Sequence, residues 1–198
     1  ASLFKQSLAM HSEEYMAAKS LNDTIEIVQS LNNIGTVFRR ISSLEQASKY
    51  HFRALEYCLA STDTSSVMLK NTVVSFNGLG NVYLSVNNYR LARDCFQRAL
   101  DGETKLGSLL GQAINYANIG SILQKLGNTD SAWLYYRRSM ECNMQLDNQT
   151  GISLCHTYYG GLYEEAGKYD KAIEEYEIVY LMMSESTDRW HYPESCIA

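Results

Sequence analysis

Four histidines, five cysteines and two adjacent glutamate pairs are the side chains here that could carry acid–base, nucleophilic or metal chemistry. General acid–base work needs titratable groups within hydrogen-bond reach of each other. A zinc site needs Cys and His at short, repeated spacings. His11, His51, His156 and His191 lie far apart, with no HExxH or HxH arrangement. Cys58, Cys95, Cys142, Cys155 and Cys196 show no CxxC spacing, and an odd count without a framework argues against a disulfide scaffold. Glu164-Glu165 and Glu174-Glu175 are sequence neighbours, which on a helix do not face one another, so each pair reads as a solvated face. No GxxxxGK(S/T) phosphate loop and no GxSxG nucleophile turn occurs. The sequence therefore predicts no catalytic residue, no metal site and no cofactor.

Charge excludes a further class. The net charge is −5 at pH 7, whereas phosphate binding needs concentrated positive charge, so nucleic acid is not an expected partner. One basic feature recurs: Arg53, Arg98 and Arg138 occupy equivalent places, read as a solvated ridge, with a docking strip for an acidic partner as the sharper alternative. Between Glu164 and Asp188 stand eight acids against the bases Lys168, Lys171 and Arg189, while Arg39-Arg40, Arg90 and Arg93 lie earlier. Such asymmetry would orient a charged ligand, or two copies head to tail. No apolar run reaches the roughly 18 to 20 residues of a membrane span.

The elements that must position these side chains are set by four glycines. Gly35, Gly80, Gly120 and Gly160 recur at intervals of 45, 40 and 40 residues, and each has an alanine twelve residues later: Ala47, Ala92, Ala132 and Ala172. Self-similarity at such a period signals a repeat architecture. Three residues after each glycine stand Phe38, Tyr83, Leu123 and Tyr163, and sixteen after it His51, Phe96, Tyr136 and Tyr176. Spacings of three and four place these on one helix face, so each unit reads as two amphipathic helices. The breaks between them are Ser42-Ser43, Asn87-Asn88, Gly127-Asn128 and Gly167-Lys168. A mid-helix glycine costs about 1 kcal/mol relative to alanine, so four in register imply close helix approach. His51 shares a place with three aromatics, and His156 with Leu31, Phe76 and Tyr116, so both read as packing residues. A single proline in 198 residues permits long helices. The five extra residues of the first interval are expected as a longer turn near Ala60 to Ser66.

Gly…aromatic…Ala…aromatic over two helices, as in Leu79-Gly80-Asn81-Val82-Tyr83, Asn118-Ile119-Gly120-Ser121 and Gly167-Lys168-Tyr169-Asp170-Lys171-Ala172, resembles the tetratricopeptide repeat. The usual period is 34. The longer one here resembles the branch of kinesin light chains, GoLoco-binding adaptors and bacterial peptide receptors. The resemblance implies an all-α fold, a right-handed superhelical solenoid of antiparallel helix pairs. Residues 1–21 would be the second helix of a truncated unit, followed by units at 22–62, 63–107, 108–147 and 148–187. Residues 188–198 would start a further unit, and the whole would be part of a longer protein.

In that family the first helices line a concave groove that receives a peptide or helix. Carried onto this sequence, the groove holds Asn32, Asn33, Thr36, Arg39 and Arg40 in the first unit and Asn77, Asn81 and Leu84 in the second. The third contributes Asn118, Ser121, Gln124 and Lys125, and the fourth Thr157 and Tyr158. Asn33 and Asn118 match the asparagine that holds a ligand's backbone in the longer-helix branch, since an amide both donates and accepts. Gly78 and Tyr158 depart from that pattern. The resemblance implies a non-catalytic scaffold for a protein or peptide partner, or alternatively the ligand-sensing module of a bacterial signalling or transcription-regulatory protein. Unpaired cysteines suit the cytoplasm, with a periplasmic sensor domain as the alternative. Leu3, Phe4 and Leu8 at one end, and Trp190 and Ile197 at the other, are expected to leave apolar surface through which copies self-associate.

Overall fold

The computed structural model describes the backbone of residues 2–191 and the side chains of 3–184. The expectations placed on Trp190, Ile197, Cys196, the His191 side chain and the charges at 185–189 lie outside the described side chains. The described residues form helices and no strand: α1 Ser2–Leu21, α2 Thr24–Arg40, α3 Leu44–Ala60, α4 Ser66–Ser85, α5 Tyr89–Leu106, α6 Leu109–Lys125, α7 Thr129–Gln145, α8 Gln149–Glu165 and α9 Tyr169–His191. The chain divides into two compact units, the first ending at Gly111 and the second beginning at Gln112.

Each helix pair is closed by one recurring turn. Seven residues after each repeat glycine, Ser42, Asn87, Gly127 and Gly167 take positive φ of 57–73°. The next residue's N–H then returns to a carbonyl five positions back, as in Asn128 to Leu123 and Lys168 to Tyr163, both at 2.9 Å. This left-handed ending satisfies carbonyls that a helix end leaves open, and glycine adopts it without a side-chain penalty at two of the four. The following helix starts on a side-chain cap in α5 and α7, where the Oδ1 atoms of Asn88 and Asn128 accept from Leu91 and Ser131, each at 3.3 Å.

In the first unit α2 packs on α3 and α4 on α5, while α1 covers α2 and α4 lies against both α2 and α3. Its core centres on Ile27, Val28, Leu31, Ala54, Cys58 and Met68. In the second unit α8 packs on both α7 and α9, and Trp133 lies 4.9 Å from both the Tyr159 and Tyr163 rings. The repeat glycines and their alanines are all buried. A Cβ added at Gly80 or Gly120 would come within 2.8 Å of the Phe96 or Tyr136 ring, so the missing side chain is what lets the second helix close. Gly35 and Gly160 stand in the same way against His51 and Tyr176.

The long first interval resolves differently from the expectation of a turn alone. The loop at 61–65 takes only part of the extra length. The rest lengthens α4, which begins fourteen residues before its glycine where α2, α6 and α8 begin eleven before theirs. Ser65 caps the added turn, its Oγ accepting from Met68 N–H at 3.2 Å.

Candidate functional site

The first-helix faces carry the residues named from sequence, and each unit is described in turn. On α2 of the first unit, Asn33 and Arg40 are exposed, and Thr36 and Arg39 half-buried. Asn33 makes no hydrogen bond, so its donor and acceptor remain open. On α4, Asn77, Asn81 and Leu84 are half-buried. The Asn81 amide donates to the Asn77 carbonyl at 2.8 Å, which leaves its Oδ1 as the available group. Because α2 and α4 pack together, these two rows share one face.

Asn32 is corrected out of that face. It is only 2 % exposed. Its Nδ2 donates to Ser75 Oγ at 3.0 Å and to the Asn71 carbonyl at 3.3 Å, and its Oδ1 lies 3.0 Å from His51 Nδ1. With the Asn32 nitrogen spent on α4, the oxygen faces the imidazole, so Nδ1 carries the proton. Burial, and secondarily the charge of Arg39, lower the His51 pKa to about 4. This packing role is the one expected of His51, and it explains Gly78: any Cβ there would strike the imidazole ring.

In the second unit, Asn118, Ser121, Gln124 and Tyr158 are half-buried, while Lys125 and Thr157 are exposed. Tyr158 stacks on Tyr136 with ring centres 4.5 Å apart. The asparagine pattern thus breaks at Gly78 and Tyr158 where the first-helix residue meets the second-helix ring of the preceding repeat. Gln124 is committed as well: Tyr136 donates to its Oε1 at 2.8 Å, and its Nε2 donates to Glu165 at 2.7 Å.

Sequence reasoning missed a pairing between the residue four after each glycine and the one sixteen after it. Tyr176 donates to Glu164 at 3.1 Å, as Tyr136 does to Gln124. The matching residues in the other repeats are Leu84 with the apolar Phe96 and Arg39 with His51. The signal was present, since an acceptor faces a phenol in two repeats and an apolar residue faces an apolar ring in a third. Six residues before the glycine, Val74, Ile114 and Leu154 are exposed apolar residues at equivalent places, beside the polar positions.

The arginine row is not a bare ridge. Arg53, Arg98 and Arg138 sit 5.2–5.8 Å from the ring centres of Tyr15, Phe76 and Tyr116. Arg53 also donates to the Tyr15 hydroxyl at 2.6 Å. Replacing the three by glutamine is expected to cost about 0.5–1 kcal/mol at each site, seen as a lowered urea midpoint. An unchanged midpoint would show that the stacking contributes nothing.

One pair of the candidate acid–base groups comes together in the fold. His156 pairs with Glu175 across α8 and α9 at 2.7 Å, a partner its packing role did not anticipate. Burial raises the pKa of Cys58, Cys142 and Cys155, and takes Cys95 to about 11, so these thiols stay protonated at neutral pH. Among the described residues no group of three or more His, Cys, Asp and Glu is placed to hold a metal, and no helix is long and apolar enough to cross a membrane.

Comparison with known proteins follows the repeat pattern. Residues 71–145 match the family model described as tetratricopeptide repeat. Over that stretch the chain is similar to tetratricopeptide-repeat proteins. BtubC (BKLC) from P. vanneervenii shares 16% identity at a TM-score of 0.75, over 98% of this chain and 77% of that one. A Rap protein complexed with Competence and Sporulation Factor gives 20% and 0.75, over 95% of this chain and 51% of its own, so this chain spans about half of it. MamA gives 18% and 0.65, over 93% and 91%. At these identities the likeness shows the fold, an all-α solenoid of helix pairs. No curated protein matches the chain.

Proposed function

We propose that this chain is a non-catalytic scaffold that binds an extended peptide or helical segment of a partner protein along its first-helix faces. The observation that carries the reading is Asn33, exposed with both amide functions open beside Thr36, Arg39 and Arg40. Of the other asparagines on these helices, Asn32 is spent on the fold and Asn81 is spent in part. An open amide can pair with a peptide group from either side, and the exposed Val74 on α4 offers an apolar contact next to it. In the second unit Asn118, Ser121, Lys125 and Thr157 form the corresponding surface. A second reading, a ligand-sensing module of a signalling protein, is favoured by the likeness to a Rap structure complexed with a factor.

A peptide selected from a random display library for binding to the chain provides the probe. Asn33→Ala with Asn81→Ala is expected to weaken it about tenfold or more, since each amide bond is worth about 1 kcal/mol. The melting temperature should stay nearly constant, because neither side chain holds two helices together. The Arg53/Arg98/Arg138 glutamine variant should bind normally. Loss of binding in the arginine variant with retention in the asparagine variant would overturn the assignment.

The end helices support a further partner, a second copy. Leu3, Met16 and Leu21 on α1 and Tyr180 and Leu181 on α9 are more than half exposed. Self-association through these helices is part of the reading, with Leu8 half-buried and contributing less.

A further inference from the structure

The added turn of α4 walls one side of an open recess of about 370 Å³ in the first unit. Small-ligand pockets span roughly 300–1,000 Å³. Gln29 of α2, Val67, Lys70, Asn71 and Val74 of α4, and Leu106 of α5 line it. The recess continues the asparagine face. Gln29 and Val74 both stand six residues before their repeat glycines. Gln29, Asn33, Thr36 and Arg40 are spaced by four, three and four residues, and Val67, Lys70, Val74, Asn77 and Asn81 by three, four, three and four. Each set therefore forms one stripe along its helix, and both stripes begin in the recess. The turn that carries Val67 is absent from α2, α6 and α8, so the recess marks one repeat.

Inside it stands an acceptor without a donor. Asn71 is only 7 % exposed. Its Nδ2 is sealed off with no partner, so Oδ1 is the amide atom open to the recess, and nothing among the described residues donates to it. A buried acceptor left unmet is costly, and an incoming donor relieves that cost. Lys70 is exposed, and among the described residues it forms no ion pair. The half-buried Gln29 amide makes no hydrogen bond there, and no carboxylate lines the recess. Val67, Val74 and Leu106 supply an apolar wall.

These groups select among side chains. A cation meets Lys70 with no carboxylate to receive it. A carboxylate suits Lys70 but brings lone pairs against Asn71 Oδ1. An aliphatic or phenyl group leaves Oδ1 unmet, and an indole donates but has no lone pair for Lys70 or Gln29. A phenol covers the apolar wall, donates its O–H to Asn71 Oδ1 and accepts from Lys70 or Gln29.

We propose that this recess anchors one tyrosine side chain of the partner segment and so fixes the register in which the segment lies on α2 and α4. The anchoring role rests on the peptide-binding reading of that face, whereas uptake of a phenol by the recess does not.

The test begins with the full chain titrated with 4-ethylphenol and followed by NMR. Saturable shifts are expected at the methyls of Val67, Val74 and Leu106 and at the Asn71 side-chain amide. 1-Ethyl-4-fluorobenzene, of similar shape without the donor, should bind about fivefold more weakly or worse. Asn71→Leu should erase that preference. Val67→Asp, at an exposed position of the added turn, should abolish uptake of both with circular dichroism unchanged. Peptides selected from a random library should carry a tyrosine whose replacement by phenylalanine costs a similar factor in the parent and nothing in Asn71→Leu. Equal affinity for the two aromatics, shifts centred elsewhere, no saturation, or uptake that survives Val67→Asp would each overturn the proposal. So would selected peptides that bind equally well with phenylalanine in place of tyrosine. Asn33→Ala with Asn81→Ala should leave the 4-ethylphenol titration unchanged while weakening the peptide. Peptide binding that keeps its tyrosine dependence but ignores those two changes would overturn the asparagine face and leave the pocket standing.

Discussion

Alanine at Gly80 is expected to lower stability while Phe96 is present and to raise it once Phe96 has been cut to alanine. The new Cβ would stand 2.8–2.9 Å from three atoms of the Phe96 ring, closer than packed atoms allow. That ring is fully buried and cannot swing into solvent. Overpacking of this kind costs about 1–3 kcal/mol. Alanine's better helix propensity returns about 1 kcal/mol, so the single variant loses up to about 2 kcal/mol. Phe96→Ala alone should cost about 3–5 kcal/mol, the transfer and cavity terms of a fully buried ring. In that background the added methyl meets space, and the propensity gain is left standing. The cycle should therefore show a coupling of about 1–3 kcal/mol. Urea unfolding of the four proteins, with m-values checked for constancy because repeat arrays can lose two-state behaviour, reads it directly. Additive effects would mean that the glycine is there for some reason other than ring approach.

That coupling is why the glycine register was readable from sequence at all. Packing at a helix crossing demands the same small residue at the same place in every unit, so the constraint surfaces as a period. The turn residues behaved likewise, since Asn87, Gly127 and Gly167 are types that tolerate positive φ at modest cost, with Ser42 the exception. The candidate face was less legible because a helical period locates a side chain only to within a sector. The place three before the glycine shows it: Asn32 and Ala117 are buried, Asn77 is half-buried and Thr157 is exposed. That place lies where one first helix meets the next, and the identity of the neighbour decides whether it faces core or solvent. For Asn32 the neighbours are Ser75 and His51, brought from residues 43 and 19 positions away. The extra turn of α4 was hidden for a different reason. An inserted Ser-Val-Met stretch after a Ser/Thr-rich segment fits loop or helix equally well, and Ser65 as a cap tips it to helix.

Acidification from about pH 7.5 to 4.5 is expected to destabilise the first unit through His51, by about 2–3 kcal/mol. The imidazole has an ordinary value of 6.5 and is lowered to about 4 in the fold, first by burial and then by the charge of Arg39. A base depressed in the folded state is neutral in both states above pH 6.5, where its contribution to stability is fully present. Between about 6.5 and 4 the unfolded chain takes up a proton that the folded chain refuses, so stability falls as pH falls through that window. The geometry supplies the reason for the refusal. Nδ1 already donates to Asn32, and Nε2 is buried with no partner, so a second proton would sit unmet in the core. His51→Phe, which places the residue of the next repeat in the same position, removes the titration. It should cost stability at neutral pH, because Asn32 Oδ1 keeps only the Ser75 hydroxyl as a partner. Every other ionisable side chain is common to the two proteins, so the difference between the two pH profiles isolates His51. The curves should converge, or cross, as pH falls to 4.5, whereas parallel curves would show that His51 carries no proton linkage.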